Sequence, residues 1–383
     1  MKPILDVLHV IQSGTEMSCT LRISVFALFV LLNGWGCAQG EKQKGVKSHV
    51  IEEQILSFAV SEQQLNQYFH VQINTVDSED ILYAFNHAVE AIDRFNLTTG
   101  DVLPSVMFEA YGPTAMQPAS FLGTIFDASS RQHLFIGSWE MLYANEAGNV
   151  QKSVPYREFQ PLEKGLLPLR GYGFANANPT LRSGKLVFPH GIDQIAKGHS
   201  SPILAEIDLS KKSYRALPVY VPDWVHAKEY NLDQKINFSY DLDDQERLYV
   251  NFPFADSIYV FAEGGAFFNK WSVPVPDYRN VLPPIPATDN PMKALRDAPW
   301  YGHLRYSTGL DAFVRFDTPE LQPNTGDKTA PSWITFFRSD GEIMEQISNP
   351  ERVTNAYDGG ARGFYFIALS EQEDTLLVRH YYW

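Results

Sequence analysis

An apolar, strand-like segment recurs six times along this chain: Leu82-Tyr83-Ala84-Phe85, Leu134-Phe135-Ile136-Gly137, Leu186-Val187-Phe188-Pro189, Leu248-Tyr249-Val250-Asn251, Ala312-Phe313-Val314-Arg315 and Phe364-Tyr365-Phe366-Ile367. Their first residues stand 52, 52, 62, 64 and 52 positions apart. Self-similarity at a near-constant period marks a repeat architecture, because each unit is one supersecondary structure that can bury its apolar face only against its neighbours. No long stretch with helical period interrupts the pattern, so the units read as all-β.

A polar gap and a second apolar strand follow most of these segments. Ala91 to Leu97 leads into Thr98-Thr99-Gly100-Asp101, Met141 to Asn145 into Glu146-Ala147-Gly148-Asn149, Ser257 to Phe261 into Ala262-Glu263-Gly264-Gly265, and Trp333 to Phe337 into Ser339-Asp340-Gly341-Glu342. Tight turns at glycine join adjacent antiparallel strands, and about 50 residues hold the four strands of one propeller blade. The fold expected over residues 49–383 is therefore a six-bladed β-propeller with four-stranded blades. Its last unit ends at Trp383 before a fourth strand can form. Glu53 to Val60, which precedes the first complete unit, is expected to fill that place and so cover two open sheet edges. The two longer spacings hold insertions: Gly191 to Pro202, and the proline-rich Pro274 to Trp300, whose prolines cannot donate to a ladder.

Ahead of the repeats, Arg22 precedes a ten-residue apolar run, Ile23 to Leu32, followed by Asn33-Gly34-Trp35-Gly36-Cys37-Ala38. The run is too short to span a bilayer, which takes about 20 apolar residues, and has the length of a signal-peptide core. Residues 1–36 thus read as a signal peptide, with 1–16 an upstream extension if translation starts at Met17. Residues 37–48 form a polar tether. Two processing readings stand side by side: lipidation of Cys37 after cleavage behind Gly36, or a soluble-type cut after Ala38. Either exports the chain, and the first anchors it in the bacterial envelope, on the periplasmic or surface side of the outer membrane. Cys19 lies in the segment that processing removes, so the mature chain would carry no disulfide.

The repeat period, the strand–turn units and this start together resemble a group of six-bladed β-propeller lipoproteins of Bacteroidota-type Gram-negative bacteria, a TolB-like propeller group built on a domain of unknown function. The resemblance covers residues 49–383. It implies a fold and an envelope location, and it brings no catalytic residues with it. Gly34 departs from the group's pattern, since lipoprotein signals usually carry Leu there.

Composition excludes some functions. The 31 Lys and Arg against 45 Asp and Glu give a net charge of −14 with no basic stripe, the wrong field for nucleic acid. The histidines fall singly, without zinc spacing. Asp241-Leu242-Asp243-Asp244-Gln245-Glu246 resembles the start of a calcium loop but lacks its sixth-position Gly and later Glu, and a solvated turn is the expected reading. Gly171-Tyr172-Gly173 reads as a turn, because no strand–helix context or Lys accompanies it. No metal or cofactor is expected.

Polar and aromatic residues near the starts of the first strands are candidates for a ligand site, because those strands line a propeller's channel. They are Arg170, Tyr172, Asn176 and Asn178 in one unit, with His190 after its apolar segment; Asn237 and Tyr240 in the next; His303, Arg305 and Tyr306 after the proline-rich insertion; and Arg362 in the last. Arginine supplies paired donors to a carboxylate and tyrosine a stacking surface for a sugar. The expected function is a non-enzymatic scaffold for a glycan, small-molecule or envelope-protein ligand. The alternative is an extracytoplasmic glycan-active hydrolase or lyase with its site in the central funnel.

Overall fold

The computed structural model describes residues 52–382 except 63, 66, 67, 69, 109–120, 129, 138–139, 162–178, 190–201, 224–237, 254, 276–299, 320–331, 349–354, 369, 371 and 373. The expected signal peptide and the tether with Cys37 lie outside the described residues, as do all but the ends of both insertions.

The first strand, β1 (Glu52–Ala59), belongs to the last blade. Blade 1 is β2 (Val71–Val76), β3 (Glu79–Asn86), β4 (Ala91–Asn96) and β5 (Val102–Met107). Blade 2 is β6 (Phe121–Asp127), β7 (Gln132–Gly137), β8 (Glu140–Asn145) and β9 (Val150–Pro155). A two-residue strand, β10 (Gln160–Pro161), then runs parallel to the outer strand of blade 3, which comprises β11 (Thr180–Arg182), β12 (Lys185–Pro189), β13 (Leu204–Asp208) and β14 (Ser213–Leu217). Blade 4 is β15 (Ser239–Leu242), β16 (Leu248–Asn251), β17 (Ser257–Phe261) and β18 (Phe267–Ser272). Blade 5 is β19 (Trp300–Ser307), β20 (Ala312–Thr318), β21 (Trp333–Arg338) and β22 (Ile343–Ser348). Blade 6 joins β23 (Asn355–Asp358), β24 (Phe364–Ala368) and β25 (Thr375–Tyr382) to β1. The first strands meet around the axis: β2 touches β6, β15 touches β19, β19 touches β23, and β23 returns to β2. The chain is a six-bladed β-propeller.

The recurring sequence segments are the second strands β3, β7, β12, β16, β20 and β24. A strand at this radius has a neighbouring blade on each face, so both faces are covered: every residue of β16 and β24 is buried, and so is all of β20 but Thr318. A continuous apolar run follows from that. The outer strands have water on one side and read differently, β18 being exposed at five of six positions.

Closure occurs where the sequence places it. β1 pairs antiparallel with β25 from Glu52 opposite Tyr382 to Ala59 opposite Thr375. Phe58, 1% exposed, packs edge-on against Phe95 of blade 1 at 5.3 Å, within a core that also holds Leu376 and Val378. Glu53 accepts a hydrogen bond from the Tyr381 hydroxyl at 2.9 Å and pairs with Arg379. Gly363 sits at φ +110°, where a Cβ would collide with the Tyr381 carbonyl, so the turn into β24 accepts no side chain.

Each first strand also leaves one edge unpaired toward the axis, and unsatisfied backbone groups there must find partners. Side chains of the preceding blade supply several. The Gln72 amide on β2 donates to the Phe126 carbonyl on β6 at 3.0 Å and accepts from the Phe126 N–H. On β15, Ser239 Oγ donates to the Gly302 carbonyl and accepts from the Leu304 N–H, both at 3.1 Å, and Asp241 accepts from the Tyr306 N–H at 3.0 Å. Farther out, the fully buried Arg315 donates to Asp317 at 2.7 Å and to the Val273 carbonyl of blade 4 at 2.6 Å, with its guanidinium 4.7 Å from the Tyr301 ring centre.

Candidate functional site in the central channel

The axis of the ring encloses a cavity of about 290 Å³ to which all six first strands contribute. Blades 1 to 3 bring Gln72 and Asn74 from β2, Thr124 from β6, and Arg182 from β11. Blades 4 to 6 bring Asp241 from β15, Arg305 from β19, and Asp358 from β23. His70 closes one side at the start of β2. These polar groups stand among apolar lining residues, Val71, Ile73, Ile125, Pro179 and Leu181.

Two guanidiniums carry most of the unspent hydrogen-bonding capacity. Arg305 stands 3.7 Å from Asp241, and Arg182 stands 3.8 Å from Asp244, distances of loose ion pairs rather than of hydrogen bonds. No hydrogen bond reaches either guanidinium among the described residues. Asp241 is better served, accepting from the Leu242 N–H at 2.9 Å as well as from Tyr306. Asp358 accepts from the Gly360 N–H at 2.7 Å. Burial pushes the Asp358 carboxyl above its ordinary value against the hydrogen bonds from Ser307 and Gly360, and the charge of Asp241 adds to the rise. Burial, with His87 nearby, pushes His70 down to about 4, so its ring is neutral at pH 7.

Of the residues singled out from the sequence, Arg305 and Tyr306 line this cavity. The Tyr306 hydroxyl is turned to Asp311, to which it donates at 3.1 Å. Tyr240 is fully buried and donates to the Val187 carbonyl at 2.9 Å, a link between blades 4 and 3. His303 is buried at an irregularity in the β19–β20 pairing, its Nδ1 without a partner among the described residues, and burial holds it well below its ordinary value. Arg362 lies outside the cavity lining, on the turn before β24. It donates to Thr98 Oγ1 at 3.0 Å and the Ser78 carbonyl at 2.8 Å and pairs with Asp80 at 3.3 Å, tying blade 6 to blade 1. Arg170, Tyr172, Asn176, Asn178, His190 and Asn237 lie outside the described residues. Asp243, expected in a solvated turn, is 2% exposed and organises that turn, accepting from the N–H groups of Gln245 and Arg247, from the Arg247 side chain and from the Tyr249 hydroxyl. Among the described residues no cluster of side chains has the composition of a metal site.

Arg182, Asp358, Gln72, Asn74 and Thr124 were not singled out from the sequence. Their signal is positional: each lies on the short strand just before a recurring apolar segment, on the edge nearest the axis.

No protein-family model matches the sequence, and no curated protein does. Solved structures do resemble the fold. A member of the DUF4221 family from Bacteroides vulgatus superposes with a TM-score of 0.69 at 16% identity, covering 88% of this chain and 99% of that one. A candidate exported protein from Bacteroides fragilis gives a TM-score of 0.48 at 11% identity over 88% and 96% of the two chains. An inactive virginiamycin B lyase from Staphylococcus aureus, solved with quinupristin, gives 0.44 at 12% identity over 86% and 99%. The first agrees with the six-bladed architecture; the other two are too distant to carry an argument. No described helix is long and apolar enough to cross a membrane.

Proposed function

We propose that this protein is an exported, lipid-anchored binding module that holds a small anionic ligand in the channel of its propeller. The observation that carries the reading is the pair Arg182 and Arg305: two guanidiniums from separate blades line one cavity and, among the described residues, are held by ion pairs of 3.8 and 3.7 Å with no hydrogen bond. A guanidinium offers five donors in a planar fork suited to carboxylates. At about 290 Å³ the cavity lies at the lower end of ligand-site volumes. It suits one small molecule or one terminal residue of a larger one.

Anchoring rests on Cys37 behind a signal-like apolar run. Cys37→Ser is expected to abolish acyl labelling and release the protein from membranes; unchanged membrane fractionation refutes the anchor. For the channel, a thermal-shift screen of metabolites and glycans is the test, since a ligand bound only by the folded state raises apparent stability by mass action. Hits are expected to disappear in Arg182→Met and in Arg305→Met. Hits that survive both substitutions refute a channel site.

The glycan-active alternative draws on one feature. Asp241 and Asp358 line the same cavity, and the raised Asp358 beside a second carboxylate is the electrostatic arrangement of a general acid and its partner. Release of reducing ends from a screened glycan, lost in Asp358→Asn, would favour it.

A further inference from the structure

The groups left unspent in the channel narrow the chemistry of its ligand, on the reading that the channel is a binding site. Blades 1 to 3 present donors. Asn74 Nδ2 and Thr124 Oγ1 are buried and have no hydrogen-bond partner among the described residues, and the Arg182 guanidinium makes no hydrogen bond there. Asn74 Nδ2 and Thr124 Oγ1 are both covered by protein, so the donor on this side that is open to an acceptor in the cavity is the Arg182 guanidinium. Blades 4 to 6 present a different array, with Arg305 on β19 set between the blades that carry Asp241 and Asp358.

Each half selects. The donor half favours a carboxylate, whose two oxygens a guanidinium meets with paired donors. The opposite half offers two carboxyl groups as acceptors, and so needs a donor from the ligand. An ammonium there would meet the positive charge of Arg305, whose acidic partner among the described residues, Asp241, stands 3.7 Å away. A hydroxyl carries no such penalty and can donate to a carboxyl while accepting from Arg305. A simple inorganic anion satisfies the first half and has no donor for the second; a neutral sugar has donors for the second and offers the guanidinium uncharged acceptors only. The cavity has room for roughly ten water volumes, which is one small molecule.

We infer that the channel ligand is a hydroxylated monocarboxylic acid of monosaccharide size, such as a uronic or aldonic acid, with its carboxylate toward Arg182 and its hydroxyls toward Asp241, Arg305 and Asp358. Binding is non-covalent. The orientation makes the two halves separable by substitution.

The test uses the full chain in detergent with glucuronate, gluconate, glucose, acetate, sulfate and alanine as probes at up to about 10 mM, read by melting temperature and calorimetry. Glucuronate or gluconate is expected to bind, and acetate, sulfate, glucose and alanine to bind at least about tenfold more weakly. Arg182→Met should weaken the acid about tenfold or more, while Arg182→Lys, which keeps the charge and loses the fork, recovers part of it. Asp358→Asn should weaken glucuronate and leave acetate unchanged. Acetate or sulfate binding as tightly as glucuronate overturns the hydroxyl half, glucose binding as tightly overturns the acid half, and alanine binding tightest overturns the class. A panel with no binder also overturns it. A screening hit of another class that Arg182→Met abolishes overturns this inference and leaves the channel reading standing, whereas hits indifferent to both arginines overturn both.

Discussion

His133 is expected to make this propeller acid-sensitive. The residue lies on β7, 1% exposed, in a cage of Tyr83, Phe108, Phe126 and Phe135 with ring centres 4.9 to 6.4 Å away, and neither ring nitrogen has a hydrogen-bond partner among the described residues. Burial in that apolar cage pushes its pKa from 6.5 down to about 4; Arg94 lowers it further and Glu146 opposes. In the unfolded chain His133 binds a proton near pH 6.5 and in the fold only near 4, so between these values the unfolded state holds more protons and stability falls as pH falls. The contribution is fully present above about pH 7 and shrinks by about 2 kcal/mol at pH 5 and about 3 kcal/mol at pH 4. His133→Leu, close in volume, removes the titration. At pH 7.5 the variant gains from losing two unpaired ring nitrogens, about 1–3 kcal/mol, and gives back about 0.5–1.5 kcal/mol of aromatic contact. The assay is urea unfolding followed by tryptophan fluorescence across this pH range in both proteins. His70, His303 and His380, all held low by burial, are present in both and cancel in the difference. The wild type should lose stability faster than the variant by about 2 kcal/mol between pH 7.5 and 5. Parallel pH profiles would refute the reasoning.

Two further outcomes test the ring. Phe58→Ala opens a cavity at the closure seam and should cost about 3–5 kcal/mol in urea unfolding. Deleting Glu53 to Val60 should lower the melting temperature of the whole propeller, because the edge of β25 is then bare; unaltered melting would sink the closure by β1. Arg315→Met takes the paired cation away from the buried Asp317, which also accepts from Thr335 at 2.8 Å, and should cost about 3–5 kcal/mol. Arg315→Met combined with Asp317→Leu should cost clearly less than the sum of the single changes, and strict additivity in a double-mutant cycle would mean the two side chains do not act as a pair.

The fold was legible in the sequence because of where burial is complete. A second strand with a blade on each face must be apolar at every position, so β16 and β24 stand out as uninterrupted runs, and their spacing counts the blades. The seam was legible for a related reason: Ile55, Leu56 and Phe58 form an apolar strand outside any complete unit, while β25 ends the chain one strand short. The first strands were not legible as a set. They range from three residues in β11 to eight in β19, their hairpins differ in length, and their axis-facing groups are met by neighbouring blades in different ways. Size and aromaticity therefore drew attention to Tyr240, which is spent on the Val187 carbonyl, and to Arg362, which is spent on blade 1, while the smaller Asp358 and Thr124 passed unnoticed. The strand β10 was invisible for a simpler reason, being two residues long and ending in proline.

This difference between fold and site has one physical origin. Closing a ring of blades leaves six strand edges facing the axis, and every donor and acceptor on them must be met by a side chain, by water or by a ligand. Between blades 4 and 5 the first course is taken: Ser239 and Asp241 reach the Gly302 carbonyl and the Leu304 and Tyr306 N–H groups, which leaves that wall stitched. Between blades 1 and 2 Gln72 meets both backbone groups of Phe126, yet Asn74 Nδ2 and Thr124 Oγ1 beside it are unmet among the described residues. The two channel arginines sit within reach of acids without closing on them. A chain selected for stability alone has a cheap way to remove such groups, since an alanine or a valine at these positions leaves no unmet donor. The open guanidiniums of Arg182 and Arg305 along one cavity are the ground for proposing that this channel holds a molecule rather than only resulting from closure.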